Sequence, residues 1–211
     1  MKILTYNIHR GMNENNENTL TQILSYLECI DADIICLQEV LGSVHKKILF
    51  HLKLNGYFLA NVNLKNDEYG ISIYCKENIS LVRGIHLTSK NERRGFIHLE
   101  LFINNKLINL INLHLGLNVD ERKQQLEEVI NYLNKLRGKI IICGDFNQIN
   151  LCIDNYYDLA KLFDKENVET FKISKSRIDY MFISQNIGVK KYKVDFKNLS
   201  DHYPVIGEFN I

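Results

Sequence analysis

The sequence predicts an α/β protein of two halves packed sheet against sheet, and three observations carry that expectation. Short apolar runs such as Ile140 to Cys143 recur along the chain, each breaking into polar residues. Amphipathic helical stretches are interleaved with them, and a long central block alternates strands and turns with no helix between. A meander of that length does not belong to a doubly wound fold.

Taken in order, Met1 to Ile8 reads as a strand that delivers Asn7, His9 and Arg10 to an Asn-rich loop. Leu20, Ile23, Leu24, Leu27 and Ile30 then fall at helical spacing, so a first helix covers one sheet face. Ile34 to Glu39 is a buried strand ending in an acid. Val44, Ile48, Leu49 and Leu52 mark a second helix over 43–54, closed by Asn55-Gly56, where a residue tolerant of positive φ is expected.

Strands are expected at Tyr57 to Asn61, Gly70 to Tyr74, Ser80 to Leu87, Gly95 to Ile103 and Leu107 to Leu113, with Asn104-Asn105 turning the last pair into a hairpin. A third helix starts near Asp120, its face Leu126, Val129, Ile130, Leu133 and Leu136 turned inward and Glu121 among the outward residues. After the strand at 140–143 the pattern predicts a short helix around Tyr156 to Phe163. Three strands follow, at Ile178 to Ser184, Val189 to Phe196 and Tyr203 to Phe209.

The 211 residues contain no Pro/Gly/Ser-rich linker, so 1–211 reads as a single domain. With 45% hydrophobic and 24% charged residues, disorder is excluded as a description of the whole. A formal charge of +1 means that a nucleic-acid partner would be held by a local patch rather than by the net field. No apolar run approaches the ~20 residues that span a bilayer, and Ile3 to Ile8 is too short and polar for a signal-peptide core. A cytoplasmic protein is expected, with five free cysteines that show no paired metal spacing.

Chemistry concentrates at strand ends: Asn7, Glu39, His114, Asp145, Asn147, Asp179 and the pair Asp201-His202. Alone, Asp145 and Asn147 fit a capped turn better than a site. Repetition changes the reading. Several carboxylates in one place repel one another unless a cation neutralises them, and a hard divalent ion such as magnesium suits oxygen donors and waters. Two histidines beside them supply proton transfer and stabilise developing negative charge, and the sum is metal-assisted hydrolysis of a phosphoester.

Six segments in order, Thr5-Tyr-Asn7, Leu37-Gln-Glu39, Asn112-Leu-His114, Gly144-Asp-Phe-Asn147, Arg177-Ile-Asp-Tyr180 and Ser200-Asp-His202, resemble the successive motifs of the endonuclease/exonuclease/phosphatase superfamily. That group includes deoxyribonuclease I, abasic endonucleases, bacterial sphingomyelinases and inositol polyphosphate phosphatases. The resemblance implies a four-layer α/β/β/α sandwich of two mixed, mainly antiparallel sheets, deoxyribonuclease I-like, with the site at one edge.

It also implies roles. Glu39 resembles the main metal carboxylate, with Asn7 beside it and Asp201 reaching a metal directly or through water; the implied ion is Mg2+, with Mn2+ as a substitute. Asp145 resembles the carboxylate that activates water, and Asn147 the amide that holds it or a phosphate oxygen. His202 resembles the histidine at the scissile phosphate, Asp179 the acid that fixes its tautomer, and His114 the second histidine donating to a phosphoryl oxygen. Arg94 and Arg10 are candidates for the substrate phosphate. Glu68 is a looser match for a residue orienting His114.

The expected activity is a metal-dependent phosphodiester hydrolase of the nuclease type, acting on nucleic acid or another phosphodiester, with no obligate protein partner implied. A phospholipid-type phosphodiesterase, a phosphomonoesterase and, more remotely, a non-catalytic scaffold are the alternatives. The chain departs from abasic endonucleases in having no Trp and little net charge. Its Asn7 to Gly11 and His114 to Arg122 stretches look most like small bacterial members of the superfamily.

Overall fold

The computed structural model describes residues 1–211. The chain opens with strand β1 (Lys2–Asn7), helix α1 (Leu20–Ile30), β2 (Ile34–Leu41), α2 (Gly42–Leu52), β3 (Asn55–Asn63), β4 (Glu68–Cys75) and β5 (Leu81–His86). It continues with β6 (Gly95–Ile103), β7 (Lys106–His114), α3 (Val119–Leu133), β8 (Lys139–Asp145), β9 (Tyr156–Asp158) and α4 (Leu159–Leu162). Strands β10 (Asp179–Ser184), β11 (Gly188–Val194) and β12 (Val205–Asn210) close it.

Two six-stranded sheets result, in the orders β11-β12-β1-β2-β4-β3 and β5-β6-β7-β8-β10-β9. Each holds one parallel pair, β1 with β2 and β7 with β8, bridged by α1 and α3 respectively; the other pairings are antiparallel. Helices lie outside and the sheets face one another. Ile3, Cys36, Ile73, Leu99, Leu110, Ile141 and Met181 belong to the apolar layer between the sheets. Tyr6, Ile23, Leu27, Ile35 and Ile48 bury α1 and α2 on one outer face, while Ile111, Val129, Leu133 and Ile142 bury α3 on the other. Transfer of such side chains from water is the main favourable term holding the layers together.

The hairpin at Asn104-Asn105 forms as expected, both residues at positive φ (51° and 60°), the conformation that matches strand twist in a two-residue turn. Other elements depart from expectation. Helix α2 ends at Leu52 with Lys53 at φ 54° in the left-handed cap, and Asn55 and Gly56 already belong to β3. A Cβ at Gly56 would crowd Leu49 Cδ2 at 2.6 Å and Tyr74 Cδ1 at 2.8 Å, so a larger residue there would displace both side chains. Tyr156–Asp158 pairs with β10 as a strand, leaving only one helical turn in the expected helix.

Glu121 is buried instead of outward. Its carboxylate accepts from the Lys90 backbone N–H at 3.1 Å and from Gln125 Nε2 at 3.1 Å, so hydrogen bonds replace water around it. Cys36, Cys75 and Cys143 are buried free thiols, whereas Cys29 and Cys152 are free and exposed. No helix is long and apolar enough to cross a membrane.

Candidate active site

The two parallel strand pairs end at one edge of the sandwich. There Asn7 Nδ2, at the end of β1, donates to Asp145 Oδ2 on the opposite sheet at 3.0 Å and lies 3.3 Å from Glu39 Oε1. Asn7 Oδ1 accepts the His9 backbone N–H at 3.1 Å, which fixes the amide's orientation. Below this point Gln38 Nε2 donates across the sheets to Asn112 Oδ1 (2.6 Å) and also to Thr5 Oγ1 (3.0 Å). Asn112 Nδ2 in turn donates to Leu37 O and Ser72 O. This buried polar bridge ties the sheets together under the site.

Backbone irregularity aims the carboxylates. Register slips between Leu37 and Val40 in the β2–β4 pair, a bulge that leaves Glu39 at φ 54°. Such left-handed residues are costly for a side chain and cluster at functional sites. In β8, Gly144 stands at φ 137°, where a Cβ would come 2.0 Å from Leu113 O, so only glycine permits this approach to β7. The next residue, Asp145, is then in register with His114 on β7 and with Asp179 on β10.

His114 Nε2 lies 3.6 Å and His202 Nε2 3.7 Å from the same oxygen, Asp145 Oδ2. Asp145 Oδ1 accepts the Asn147 backbone N–H at 2.8 Å, and Asn147 Nδ2 donates to Leu115 O at 2.9 Å. His202 Nδ1 is 2.8 Å from Asp179 Oδ2, and the Phe171 ring packs against its imidazole at a 40° tilt with centroids 4.7 Å apart. Arg94 Nη1 is 3.0 Å from His114 Nδ1 and 2.8 Å from Glu92 Oε1.

Burial and the charges of Arg94 and His202 hold the His114 imidazole well below its usual range, so it is neutral. Burial also pushes His202 down, but the charge and hydrogen bond of Asp179, with Asp145 and Asp201, outweigh it and raise His202 to about 10. For Asp145, burial and the like charge of Asp179 raise the carboxyl to about 7, against the lowering effects of His202, Asn147 and Asn7.

The expected residues Asn7, Glu39, His114, Asp145, Asn147, Asp179 and His202 thus meet in one network. Asp201 sits at its rim, its Oδ1 accepting from Ser200 Oγ at 3.1 Å and lying 3.7 Å from His9 Nδ1. Arg10 is exposed and, with Arg94, Glu39 and Tyr69, lines an opening of about 330 Å³ beside the site. Glu68 is not the partner of His114: it packs by Gly42, and Arg94 occupies that position instead.

Support residues that pattern reading did not single out also appear. Thr170 Oγ1 accepts the N–H groups of Ile178 and Asp179. Ser200 Oγ donates to Asn7 O at 2.8 Å and accepts the His202 N–H at 3.3 Å. Arg177 forks onto buried Asp158 at 2.7 and 3.1 Å, anchoring the segment before β10. Ser200 and Arg177 stood inside the quoted motifs; Thr170 carried no local signal.

Oxygen donors dominate the candidate metal set of Glu39, Asp201 and Asn7, and hard divalent ions prefer such donors. Asp145 feels the charge of Asp179, His202 that of Asp179, Asp145 and Asp201, and Glu39 lies one amide away from Asp145 across Asn7 Nδ2, so an added cation fits the electrostatics. A second group, Asp145, Asp179 and His202, brings its donor atoms within 4.8 Å of one another. Because Asp179 and His202 already satisfy each other, that group reads as a histidine–carboxylate pair facing a base.

The model of the Endonuclease/Exonuclease/phosphatase family matches residues 4–202. The uncharacterized protein YbhP of Escherichia coli (strain K12) is 25% identical over 244 aligned residues, covering 100% of this chain and 96% of that protein. An exodeoxyribonuclease of Bacillus subtilis (strain 168) is 30% identical over 160 residues, 73% of this chain and 61% of that protein. Among solved structures, an endonuclease/exonuclease/phosphatase family protein from Leptotrichia buccalis C-1013-b superimposes with a TM-score of 0.84 at 18% identity over 100% of both chains, a likeness of fold.

Proposed function

This chain belongs to the endonuclease/exonuclease/phosphatase family, and from that premise we propose that it is a divalent-metal-dependent phosphodiester hydrolase of the nuclease type. The observation that carries the reading is one carboxylate oxygen, Asp145 Oδ2, faced by His114 at 3.6 Å and by His202 at 3.7 Å. A carboxyl raised to about 7 is matched to accepting the proton of an attacking water near neutral pH.

His202, kept cationic by Asp179, stabilises charge on the phosphoryl oxygens, and neutral His114 donates to them from Nε2. Asn147 contributes its amide, and Arg10 meets the phosphate at the opening. Glu39 and Asp201, with Asn7, would hold Mg2+ or in its place Mn2+, which supplies Lewis-acid stabilisation of the phosphoryl oxygens. The likeness to an exodeoxyribonuclease supports nucleic acid as substrate. A cytoplasmic setting and the lack of an obligate protein partner belong to the same reading.

The test is nicking of supercoiled plasmid by purified protein with Mg2+, beside an EDTA control and Asp145→Asn. Cleavage lost in both controls is the expected result. Uncut plasmid and uncut single strands under all conditions would overturn the nuclease assignment.

One observation favours a second reading, a phospholipid-type phosphodiesterase. The opening beside Glu39 carries Leu64, 46% exposed, and Leu117, 73% exposed, although the 61–67 loop looks polar in sequence. Apolar side chains beside a site suit a lipid surface. Hydrolysis of phospholipid in mixed micelles but not of plasmid would select it.

A further inference from the structure

We propose that Asn61 is a specificity-determining residue: with the cavity around it, it binds a free hydroxyl of a sugar-like group joined to the scissile phosphate. The inference deepens the phosphodiesterase reading above and rests on it.

A cavity of about 450 Å³ lies between the end of β3 and the 86–93 segment. Val62 and Glu92 line both this cavity and the opening that contains Glu39, Arg10 and Arg94, so the two spaces adjoin. A substrate whose phosphate meets the site can place its next group here. Two of the lining residues are buried, Asn61 at 4% and Leu87 at 5% exposure, and they form the floor.

Neither Oδ1 nor Nδ2 of Asn61 has a hydrogen-bond partner in the protein. A buried amide with both groups unpaired is costly, and packing alone would favour an apolar side chain. Strand β3 supplies Leu59 to the apolar layer and then slips register between Ala60 and Val62, which sets Asn61 at a bulge. Bulges re-aim side chains beside active sites. Gly95 on β6 leaves the amide room, since a Cβ there would stand 3.2 Å from Asn61 Oδ1.

The walls are fixed by their own bonds. His86 Nε2 is 3.0 Å from Ala60 O, and Ser89 Oγ accepts the Arg94 N–H at 3.0 Å and Gln125 Nε2 at 3.2 Å. Glu92 and Arg93 bring opposite charges, so a neutral group suits the cavity better than a second phosphate. A nucleobase would stack on aromatic rings, and the lining holds no Phe, Tyr or Trp. A hydroxyl both donates and accepts, which matches the two halves of an amide. Such hydroxyls belong to the ribose of a ribonucleotide or to the ring of a sugar or inositol phosphodiester.

NMR of 15N-labelled, metal-free protein tests binding directly, with uridine, uracil and myo-inositol as probes at millimolar concentration. The Asn61 side-chain amide signals are expected to shift with uridine or inositol and not with uracil, and the stronger of the two names the source of the hydroxyl. Equal shifts with uracil and uridine would mean that the base is read and would overturn the proposal. So would signals that no probe moves.

Turnover gives a second readout. Asn61→Leu should melt no lower than the wild type, because it removes two unpaired groups. It should also cut the preference for the 4-nitrophenyl ester of uridine 5′-phosphate over bis(4-nitrophenyl) phosphate, as a ratio of kcat/KM, roughly tenfold. An unchanged ratio would overturn the assignment, and Asn61→Ala makes the same comparison should the leucine variant not fold. The NMR titration needs neither metal nor turnover, so inactivity on every ester would defeat the functional reading and leave the hydroxyl site standing.

Discussion

His114 and His202 present their Nε2 atoms to the same oxygen of Asp145, at 3.6 and 3.7 Å, yet stand in opposite protonation states. The difference follows from their surroundings. Nδ1 of His202 meets the Asp179 carboxylate at 2.8 Å, which favours the imidazolium, whereas burial and the neighbouring positive charges of Arg94 and His202 hold His114 below its usual range. Two identical side chains thereby receive distinct tasks from their neighbours.

The pH dependence of hydrolysis follows from these groups. Asp145 must be ionised, so kcat/KM rises as pH passes through about 7; His202 must stay charged, so it falls again near about 10. A bound cation moves the acid limb lower, because it favours the carboxylate. Asp179→Asn removes the charge that holds His202 protonated, and the basic limb should move toward neutrality while activity drops roughly 100-fold. A pH–rate profile of both proteins checks this, and an unmoved basic limb would contradict it.

Stability of the metal-free protein should fall as pH rises. Asp145 is raised above its unfolded value, so the folded state holds the extra proton between about 4 and about 7, and stability declines across that window. His202 is raised as well; its contribution is complete below about 6.5 and lost as pH passes through about 10. Asp145→Asn removes a buried charge and its repulsion with Asp179 and should abolish activity while stabilising the metal-free fold by about 2 kcal/mol, roughly 4–8 °C in midpoint. Thermal melts with EDTA measure it.

Metal binding should appear without any substrate. At about a hundredfold excess over its dissociation constant, Mg2+ adds about 2.7 kcal/mol to stability, seen as a raised melting midpoint. Glu39→Gln should lose most of that increment, and a full Mg2+ response in the variant would remove Glu39 from the ion's shell.

The Asp158–Arg177 fork is buried on both sides. Asp158→Ala leaves a guanidinium without its partner and should cost about 3–5 kcal/mol, read from denaturant unfolding. Replacing both residues with apolar side chains of similar size should cost less than the single substitution.

Much of this was legible in the chain because it is local or ordered along it. Apolar runs such as Ile140–Cys143 specify buried strands through their own side chains, and acids, amides and histidines at the run ends mark the edge that carries the candidate site whatever lies between them. Six motifs in order sufficed for the fold and the family.

What tertiary structure alone decided is the environment of each group. Asn7 and Asp145 are 138 residues apart and touch only because two sheets pack face to face. The inward turn of Glu121, the strand at Tyr156–Asp158 and the placing of Arg94 on His114 all depend on partners from distant segments. Protonation belongs to that class as well: desolvation and neighbouring charge set it, so sequence names the two histidines and the folded layers make one neutral and the other cationic.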